Sequence, residues 1–281
     1  MRRVILAILF VIHAWPLFAA SGVEQALHDE FIGKLVTLRG CYTSDDLRFD
    51  ADGQLVSKSD VGSWTLYSKV KVTGLKVGDD KLKIEGNRVW VSWEQEKGVP
   101  SKIEYRLSPE RLKIEVSLSS LTVEAANQII PKIFLKNNEN MSLIVPDLWK
   151  SFFGASADRA EELSASAGPT TPTSANGIPS SVPAPEKVLV PQQAAQNNII
   201  KKVQPEYPSL ARGNRLQGTV VFDATIGTDG RVISLQVKTP LGLGVDESAA
   251  QAVSQWRYKP YLLMGKPVEV RTNITVNYNL R

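Results

Sequence analysis

Apolar and polar side chains alternate along several short runs between residues 34 and 116, as they do in strands with one buried face. The clearest runs read KVKV, KLKIE and RLKIEV. The predicted strands are Lys34–Tyr42, Trp64–Val72, Lys81–Glu85, Arg88–Trp93, Ile103–Leu107 and Arg111–Val116. Helical spacing predicts helices over Val23–Phe31, Thr122–Phe134 and Asp147–Phe153, with Thr122 as an N-cap and Pro131 as a break. We therefore predict a β-rich domain over residues 22–154.

The alternation is lost between residues 155 and 197. This stretch is rich in Ser, Ala, Thr and Pro and nearly lacks large apolar side chains. Such a composition cannot bury enough surface to offset the entropy lost on ordering. We predict a flexible linker here, with a root-mean-square reach of roughly 35–40 Å.

A second regular pattern covers residues 198–281. A short helix at Pro208–Arg215 precedes a strand with inward Val220, Phe222, Ala224 and Ile226, and GTDG then turns the chain into a second strand. Asp246 is the predicted N-cap of a helix over Glu247–Trp256, and the last strand covers Val268–Leu280. The predicted fold class is α+β, with a three-stranded antiparallel sheet and two helices on one face.

The N-terminus has the layout of an export signal. Met1-Arg2-Arg3 precedes an apolar run, and small residues follow it at Ala19–Gly22. The stretch Val4–Ala20 contains His13 and Pro16 and is short for a bilayer span, which needs about 20 apolar residues. Residues 1–21 are thus either a cleaved signal peptide or a retained membrane anchor, and both place the remaining chain outside the cytoplasm.

Composition argues against several classes of function. The formal net charge of +4 is small and its basic residues are dispersed, which disfavours nucleic-acid binding. Only two histidines occur, so His-based triads and His-ligated zinc sites are disfavoured. DADG at Asp50–Gly53 resembles half a calcium loop, but Val61 stands where the chelating glutamate belongs. We expect no enzyme, no cofactor and no metal.

Two aromatic or thiol features have competing interpretations. Cys41 is the only cysteine, so the chain forms no internal disulfide, and Cys41 is either a small core residue, as we expect, or a reactive thiol. Trp90 and Trp93 lie on opposite faces of a regular strand. One of them either packs in the core or belongs to an exposed platform for a peptide or carbohydrate.

An ordered set of motifs in residues 199–281 resembles the C-terminal domain of the TonB family. The motifs are Gln204-Pro205-x-Tyr207-Pro208-x-x-Ala211, Gly218-x-Val220-x-Phe222, Asp229-Gly230-x-Val232, Ala249-x3-Val253-x2-Trp256-Arg257-Tyr258-x-Pro260, and a closing GKPVEV. The order of N-terminal apolar segment, Pro-containing linker and C-terminal domain is also similar to that family. Residues 22–154 resemble no family that we recognise.

The resemblance implies a periplasmic energy transducer for transmembrane and siderophore-type transport. Members bind outer-membrane receptors by strand addition and couple to an inner-membrane proton-driven motor complex. The implied partner-binding residues are Gln204, Pro205 and Tyr207, and the predicted edge strand adds Arg271, Asn273 and Thr275. The anchor Ser/His pair of motor-coupled members is incomplete, because no serine lies between Met1 and Ala20. The alternative is a soluble periplasmic module that binds a peptide or a cell-wall component without energy coupling.

Overall fold

The computed structural model describes residues 15–78, 80–120, 122–136, 139–154 and 188–280. The helices are α1 Trp15–Phe31, α2 Trp64–Tyr67, α3 Val123–Ile133, α4 147–154, α5 Gln192–Asn197, α6 Ser209–Gly213 and α7 Val245–Ser254, and a 3-10 helix covers Met141–Leu143. The strands are β1 Leu35–Thr37, β2 Asp46–Phe49, β3 Lys69–Gly78, β4 Lys81–Glu96, β5 Val99–Ser117, β6 Val188–Leu189, β7 Ile199–Lys201, β8 Gly218–Ile226, β9 Val232–Thr239, β10 Arg257–Tyr258, β11 Tyr261–Leu263, β12 Lys266–Val268 and β13 Val270–Tyr278.

These elements form two compact units. The first unit contains the described residues up to Val61 together with Val70–Arg88 and Ser108–Leu135. The second unit contains Gly62–Lys69, Val89–Leu107 and the described residues after Lys136. Parts of the segment that we predicted as one β-rich domain, residues 22–154, therefore group with the C-terminal residues.

A five-stranded sheet has the order β1-β3-β4-β5-β2. Its parts in the first unit are β1, β2, Val70–Gly78 of β3, Lys81–Arg88 of β4 and Ser108–Ser117 of β5. The core of this unit combines alternate strand residues with the apolar faces of α1 and α3. In α1, Val23, Leu27 and Phe31 recur every fourth residue and are buried. Thr122 is the N-cap of α3, as predicted, and its Oγ1 accepts a 3.1 Å hydrogen bond from Ala125 N. Pro131 does not end α3, which continues to Ile133.

Several predicted strand boundaries were wrong. Ile103–Leu107 and Arg111–Val116 are parts of one strand, β5, and only Leu35–Thr37 of the predicted strand Lys34–Tyr42 forms β1. Residues 81–85 and 88–93 are parts of one strand, β4, and the glycine between them does not interrupt it. A Cβ at Gly86 would lie 2.7 Å from Lys71 O, so the glycine permits close approach of the neighbouring strand. Trp64–Tyr67, predicted as the start of a strand, is helical.

The parallel strand β2 was missed by the sequence analysis. It pairs with β5 from Asp46↔Lys113 to Phe49↔Val116. The preceding residue, Asp45, receives a 3.0 Å hydrogen bond from Nε of the fully buried Arg88. This ion pair joins the start of β2 to β4. It also gives the buried guanidinium of Arg88 a counter-charge, because an unpaired buried charge would destabilise the fold.

The second unit contains a sheet in the order β6-β13-β8-β9. It has four strands rather than the predicted three, because β6 adds a short parallel strand beside Val270 and Arg271. β13 and β8 pair antiparallel from Val270↔Ile226 to Tyr278↔Gly218. The predicted inward residues Val220, Phe222, Ala224 and Ile226 are buried.

Residues 240–243 pair with the last part of β4, within the second unit. Trp93 N donates to Leu241 O and Leu243 N donates to Val91 O, both at 3.0 Å. Gln95 adds side-chain bonds: Nε2 donates to Thr219 O and Pro240 O, at 2.7 and 2.8 Å. The loop before α7 is therefore held by a short antiparallel pairing that none of the sequence motifs predicted.

A cluster of aromatic side chains lies in the same unit. Trp93 stacks on Trp64 and Trp149 at ring-centroid distances of 6.5 and 5.7 Å, and Phe152 and Phe153 complete the cluster. Trp93 is thus a packing residue rather than an exposed platform. Glu247 Oε1 accepts hydrogen bonds from Trp64 N and Trp149 Nε1, each 3.1 Å long, and burial raises the pKa of its carboxyl.

The two remaining segment predictions fall largely outside the described residues. Of the predicted signal peptide or anchor, 1–21, residues 1–14 lie outside them. Of the predicted linker, 155–197, residues 155–187 lie outside them. At the end of the predicted linker, residues 188–197 form β6 and α5, where Ala195 is buried, so the linker prediction was wrong for this part. In the described part of the chain, no helix is both long enough and apolar enough to cross a membrane.

Candidate functional site

A groove of about 470 Å³ lies beside the open part of β13 in the second unit. One wall is β13 itself, and the other is formed by α5 and the extended segment 199–205. The lining residues are Gln192, Gln196, Ile199, Lys202, Gln204, Pro205, Trp256, Thr275, Val276 and Asn277. A narrower continuation reaches Asn273 and Ile274.

The edge of β13 is only partly covered. Val188 N donates to Glu269 O and Val190 N donates to Arg271 O, at 3.2 and 2.9 Å, so these carbonyls point toward β6. Backbone groups of alternate residues in a strand point to the same side. Asn273, Thr275 and Asn277 therefore direct their N–H and C=O groups toward the groove. Within the described residues, no strand pairs with them on that side.

The opposite wall is fixed by contacts with the chain around Trp256. Trp256 Nε1 donates a 2.8 Å hydrogen bond to Val203 O, and β7 pairs with β10 just before this point. Lys202 places its Nζ 5.1 Å from the centre of the Trp256 indole. Pro205 lacks a backbone donor and is fixed in φ, which favours the extended path of Gln204 along the groove.

The groove is polar at its rim and positive at Lys202. Gln192, Gln196 and Gln204 line it together with Thr275 and Asn277, and Asn277 Oδ1 accepts a 2.9 Å hydrogen bond from Thr219 Oγ1. Amide and hydroxyl groups can both donate and accept hydrogen bonds, so they suit an extended polar peptide more than an apolar small molecule. The open N–H and C=O groups of β13 can form main-chain hydrogen bonds with such a peptide, as in strand addition.

Four of the six predicted partner-binding residues lie at this groove or its continuation. Gln204, Pro205 and Thr275 line the groove, and Asn273 lines the continuation. The structure thus brings together two segments that are far apart in the sequence.

Tyr207 and Arg271 lie elsewhere. The Tyr207 hydroxyl donates to Leu216 O, and its ring packs edge-on against Tyr278 at 5.2 Å. Arg271 forms an ion pair with Asp223, and its carbonyl oxygen already accepts a hydrogen bond from Val190 N, directly after β6. The expectation that β13 is an entirely free edge strand was therefore wrong for Arg271, because β6 covers the start of the strand.

The α5 wall of the groove was not predicted from the sequence. Gln192 and Gln196 are one helical turn apart and both face the groove, but the composition of their segment resembled a linker. The short apolar run Val188–Val190 was the available signal that the ordered domain begins before residue 198. Trp256 stands in the sequence only as a helix-end residue and part of a family motif, and the structure shows that it is buried and also lines the groove.

Comparison with known proteins supports the resemblance noted in the sequence. A family model described as Gram-negative bacterial TonB protein C-terminal matches residues 203–280. A curated relative, Protein TonB of Vibrio cholerae serotype O1, is 33% identical over 114 residues. That alignment covers 40% of this chain and 43% of the relative, so the chain spans less than half the length of the relative that it matches.

Two solved structures are also similar to part of the chain. The C-terminal domain of Pseudomonas aeruginosa TonB, solved by NMR, is 26% identical, with 29% of this chain and 84% of that chain covered and a TM-score of 0.26. The TonB2 protein of Vibrio anguillarum is 23% identical, with 41% and 98% covered and a TM-score of 0.25. The assignment is carried by the match to the family sequence model and by the curated relative. Residues 203–280 of this chain are therefore similar to the C-terminal domain of TonB proteins.

Proposed function

We propose that the second unit docks a short extended segment of a TonB-dependent outer-membrane receptor in the groove beside β13. The observation that carries the proposal is the juxtaposition of open backbone groups on β13 with the Gln204–Pro205 segment. A receptor strand would pair with Asn273 and Thr275, while its side chains meet Gln204 and the α5 glutamines.

The charge of the groove favours a particular class of segment. Lys202 lies on the rim, and none of the lining residues is acidic. A segment with acidic or amide side chains next to its pairing residues fits this environment better than a basic one. Siderophore-type receptors are the partner class implied by the TonB resemblance.

The proposed cellular setting follows from the family and from the N-terminal pattern. The chain acts in the periplasm, either attached to the inner membrane by residues 4–20 or released by signal cleavage. An attached chain would transmit energy from the inner-membrane proton-driven motor complex to the receptor. The incomplete Ser/His pair near His13 makes a soluble peptide- or cell-wall-binding module the second candidate.

The groove is tested by titrating a fluorescently labelled receptor-plug peptide against the full chain. Gln204→Ala should weaken binding by roughly three- to tenfold, because a polar contact is lost without a change in the fold. Gln193→Ala is the matched control, since Gln193 is an exposed residue of α5 outside the groove lining. Equal affinities for the wild type and both variants would place the peptide elsewhere.

The strand-pairing mode is tested by two further changes. Asn273→Pro removes one open donor and should weaken binding more than Asn273→Ala does. Because a proline can also perturb the sheet, the peptide is modified as well, by N-methylation at each residue in turn. Main-chain pairing predicts losses at every second peptide residue, whereas a side-chain-only mode predicts no such alternation.

A further inference from the structure

The first half of β5 exposes an apolar stripe. Val99, Ile103, Tyr105 and Leu107 are 62%, 44%, 51% and 61% exposed, respectively. Residues two apart in a strand point to the same face, so these four side chains and Ser101 share one side. Ile103, Tyr105 and Leu107 are successive members of this row, and a contiguous patch of exposed large apolar side chains marks an interaction surface.

The same half of β5 has an open edge. β5 lies between β4 and β2 in its sheet, and β2 pairs only with Lys113–Val116. In the parts of the chain that the structure describes, no strand pairs with Val99–Leu107 on that side. An unpaired edge is a template for another strand.

The turn between β4 and β5 determines which backbone groups face the open edge. Lys97 and Gly98 have φ values of 52° and 78°, as in a two-residue type I′ hairpin turn. Glu96 and Val99 are then a hydrogen-bonded pair, so Val99, Ser101 and Ile103 direct their backbone groups to β4. Lys102 and Glu104 direct theirs to the open edge. Pro100 belongs to this second set, where an edge strand tolerates a missing N–H.

We propose that a second copy of this chain pairs antiparallel with this edge, about a two-fold axis at Ile103. In that register Lys102 lies opposite the partner's Glu104, and the two-fold axis repeats this opposite-charge pair. Val99 lies opposite the partner's Leu107, and Ile103 lies opposite its own copy. An isologous interface requires this kind of self-complementarity.

Neighbouring registers are less favourable. An axis at Glu104 would place Lys102 opposite Arg106, and an axis at Lys102 would place two lysines opposite each other. Like charges directly opposite each other destabilise a strand pair. An axis at Tyr105 would keep an opposite-charge pair, Glu104 with the partner's Arg106, but it would place Val99 opposite Arg111 and leave Val99 without an apolar partner.

A cysteine variant tests the axis directly. Cys41 is the only cysteine and is buried, so Ile103→Cys introduces a single exposed thiol. Opposite residues of a pair without mutual hydrogen bonds have Cα atoms about 4.5 Å apart, within the range of a disulfide. Ser101→Cys is the matched control, because two copies of Ser101 would be offset by about 13 Å along the strands. Non-reducing gels of the full chain should show a linked dimer for Ile103→Cys only.

Charge reversal tests the register. Lys102→Glu and Glu104→Lys should each raise the dimer dissociation constant roughly tenfold in sedimentation velocity, because two attractive pairs become repulsive. An equimolar mixture of the two variants should dimerise again, since each opposite pair regains one charge of each sign. Lys76→Glu, an exposed change on β3, controls for net charge.

Three results would overturn the proposal. They are a wild-type chain that stays monomeric at all accessible concentrations, linkage of Ser101→Cys as efficient as that of Ile103→Cys, and a dimer insensitive to both charge reversals. Peptide binding in the β13 groove is a separate measurement and does not affect this outcome.

Discussion

The indole Nε1 of Trp256 lies 2.8 Å from the carbonyl oxygen of Val203, and this hydrogen bond connects the end of α7 to the wall of the groove. Trp256 is 3% exposed, so the bond is made by a core residue. One side chain therefore contributes to the hydrophobic core and also fixes the path of the chain just before Gln204.

Trp256→Phe separates these two contributions. Phenylalanine retains much of the buried apolar surface but loses the donor, which should lower the free energy of unfolding by about 0.5–1.5 kcal/mol. Trp256→Ala should cost about 3–5 kcal/mol, since a large buried aromatic is removed. Urea unfolding measures both changes. Peptide affinity should already fall in Trp256→Phe, and an unchanged affinity would show that Val203 does not position Gln204.

The sequence was informative where burial repeats with a fixed period. The inward residues of β8 and the buried positions of β13 recur at every second residue, although Thr225 of β8 is buried as well, and the GTDG turn joins β8 to β9. Gln204 and Pro205 could be assigned to a site only through the TonB resemblance, because nothing in their own pattern distinguishes a groove wall from a loop.

Non-local pairing could not be predicted in the same way. β2 pairs in parallel with β5, and β6 pairs in parallel with β13. Parallel strands are not joined by a hairpin turn, so neither pairing could be recognised from a turn motif. The contact of β4 with residues 240–243 joins segments separated by more of the chain than any local pattern spans. Such contacts depend on tertiary packing, and short segments of sequence therefore do not predict them.

Gly242→Ala should destabilise the second unit strongly. Gly242 has a φ of 93°, and a Cβ there would lie 2.3 Å from Val91 O. Both the backbone conformation and the clash with β4 oppose a side chain, so we expect a loss of more than about 2 kcal/mol in unfolding free energy. Gly213→Ala is the control, because an added Cβ at Gly213 meets no atom within 4 Å. Similar urea midpoints for the two variants would contradict the pairing of residue 242 with β4.

Asp45→Ala should destabilise the first unit. The guanidinium of Arg88 is fully buried and would lose its carboxylate partner, whereas Asp45 itself is half-exposed. Removing one partner of a buried pair costs about 3–5 kcal/mol, and exposure of Asp45 to solvent should reduce this to roughly 1–3 kcal/mol. The double variant Asp45→Ala/Arg88→Met should recover part of the loss in a chemical unfolding experiment. A double variant less stable than either single one would contradict this explanation.

Asp246 should make stability decrease as the pH rises from about 4 to about 7. Its carboxylate accepts hydrogen bonds from Leu241 N and Gly242 N, at 2.9 and 2.6 Å. Burial and the nearby carboxylate of Glu247 nevertheless raise the pKa of Asp246 from 3.8 to about 7. Between these values the folded chain holds this proton more tightly than the unfolded chain does. The free energy of unfolding therefore falls with increasing pH across this window, by at most about 1.4 kcal/mol per pH unit.

Asp246→Asn should remove this contribution, because an amide stays neutral and still offers one oxygen to the Leu241–Gly242 backbone. The measurement is urea unfolding of the full chain and of Asp246→Asn at several pH values from 4.5 to 7.5. Contributions from all other titrating groups, including Glu247 with its own raised pKa, are largely shared by the two proteins, so the difference between them isolates Asp246. The wild type should lose stability relative to the variant as the pH rises. Parallel curves would mean that the Asp246 carboxyl has similar pKa values in the folded and unfolded chains, and that its burial is offset by the two backbone donors.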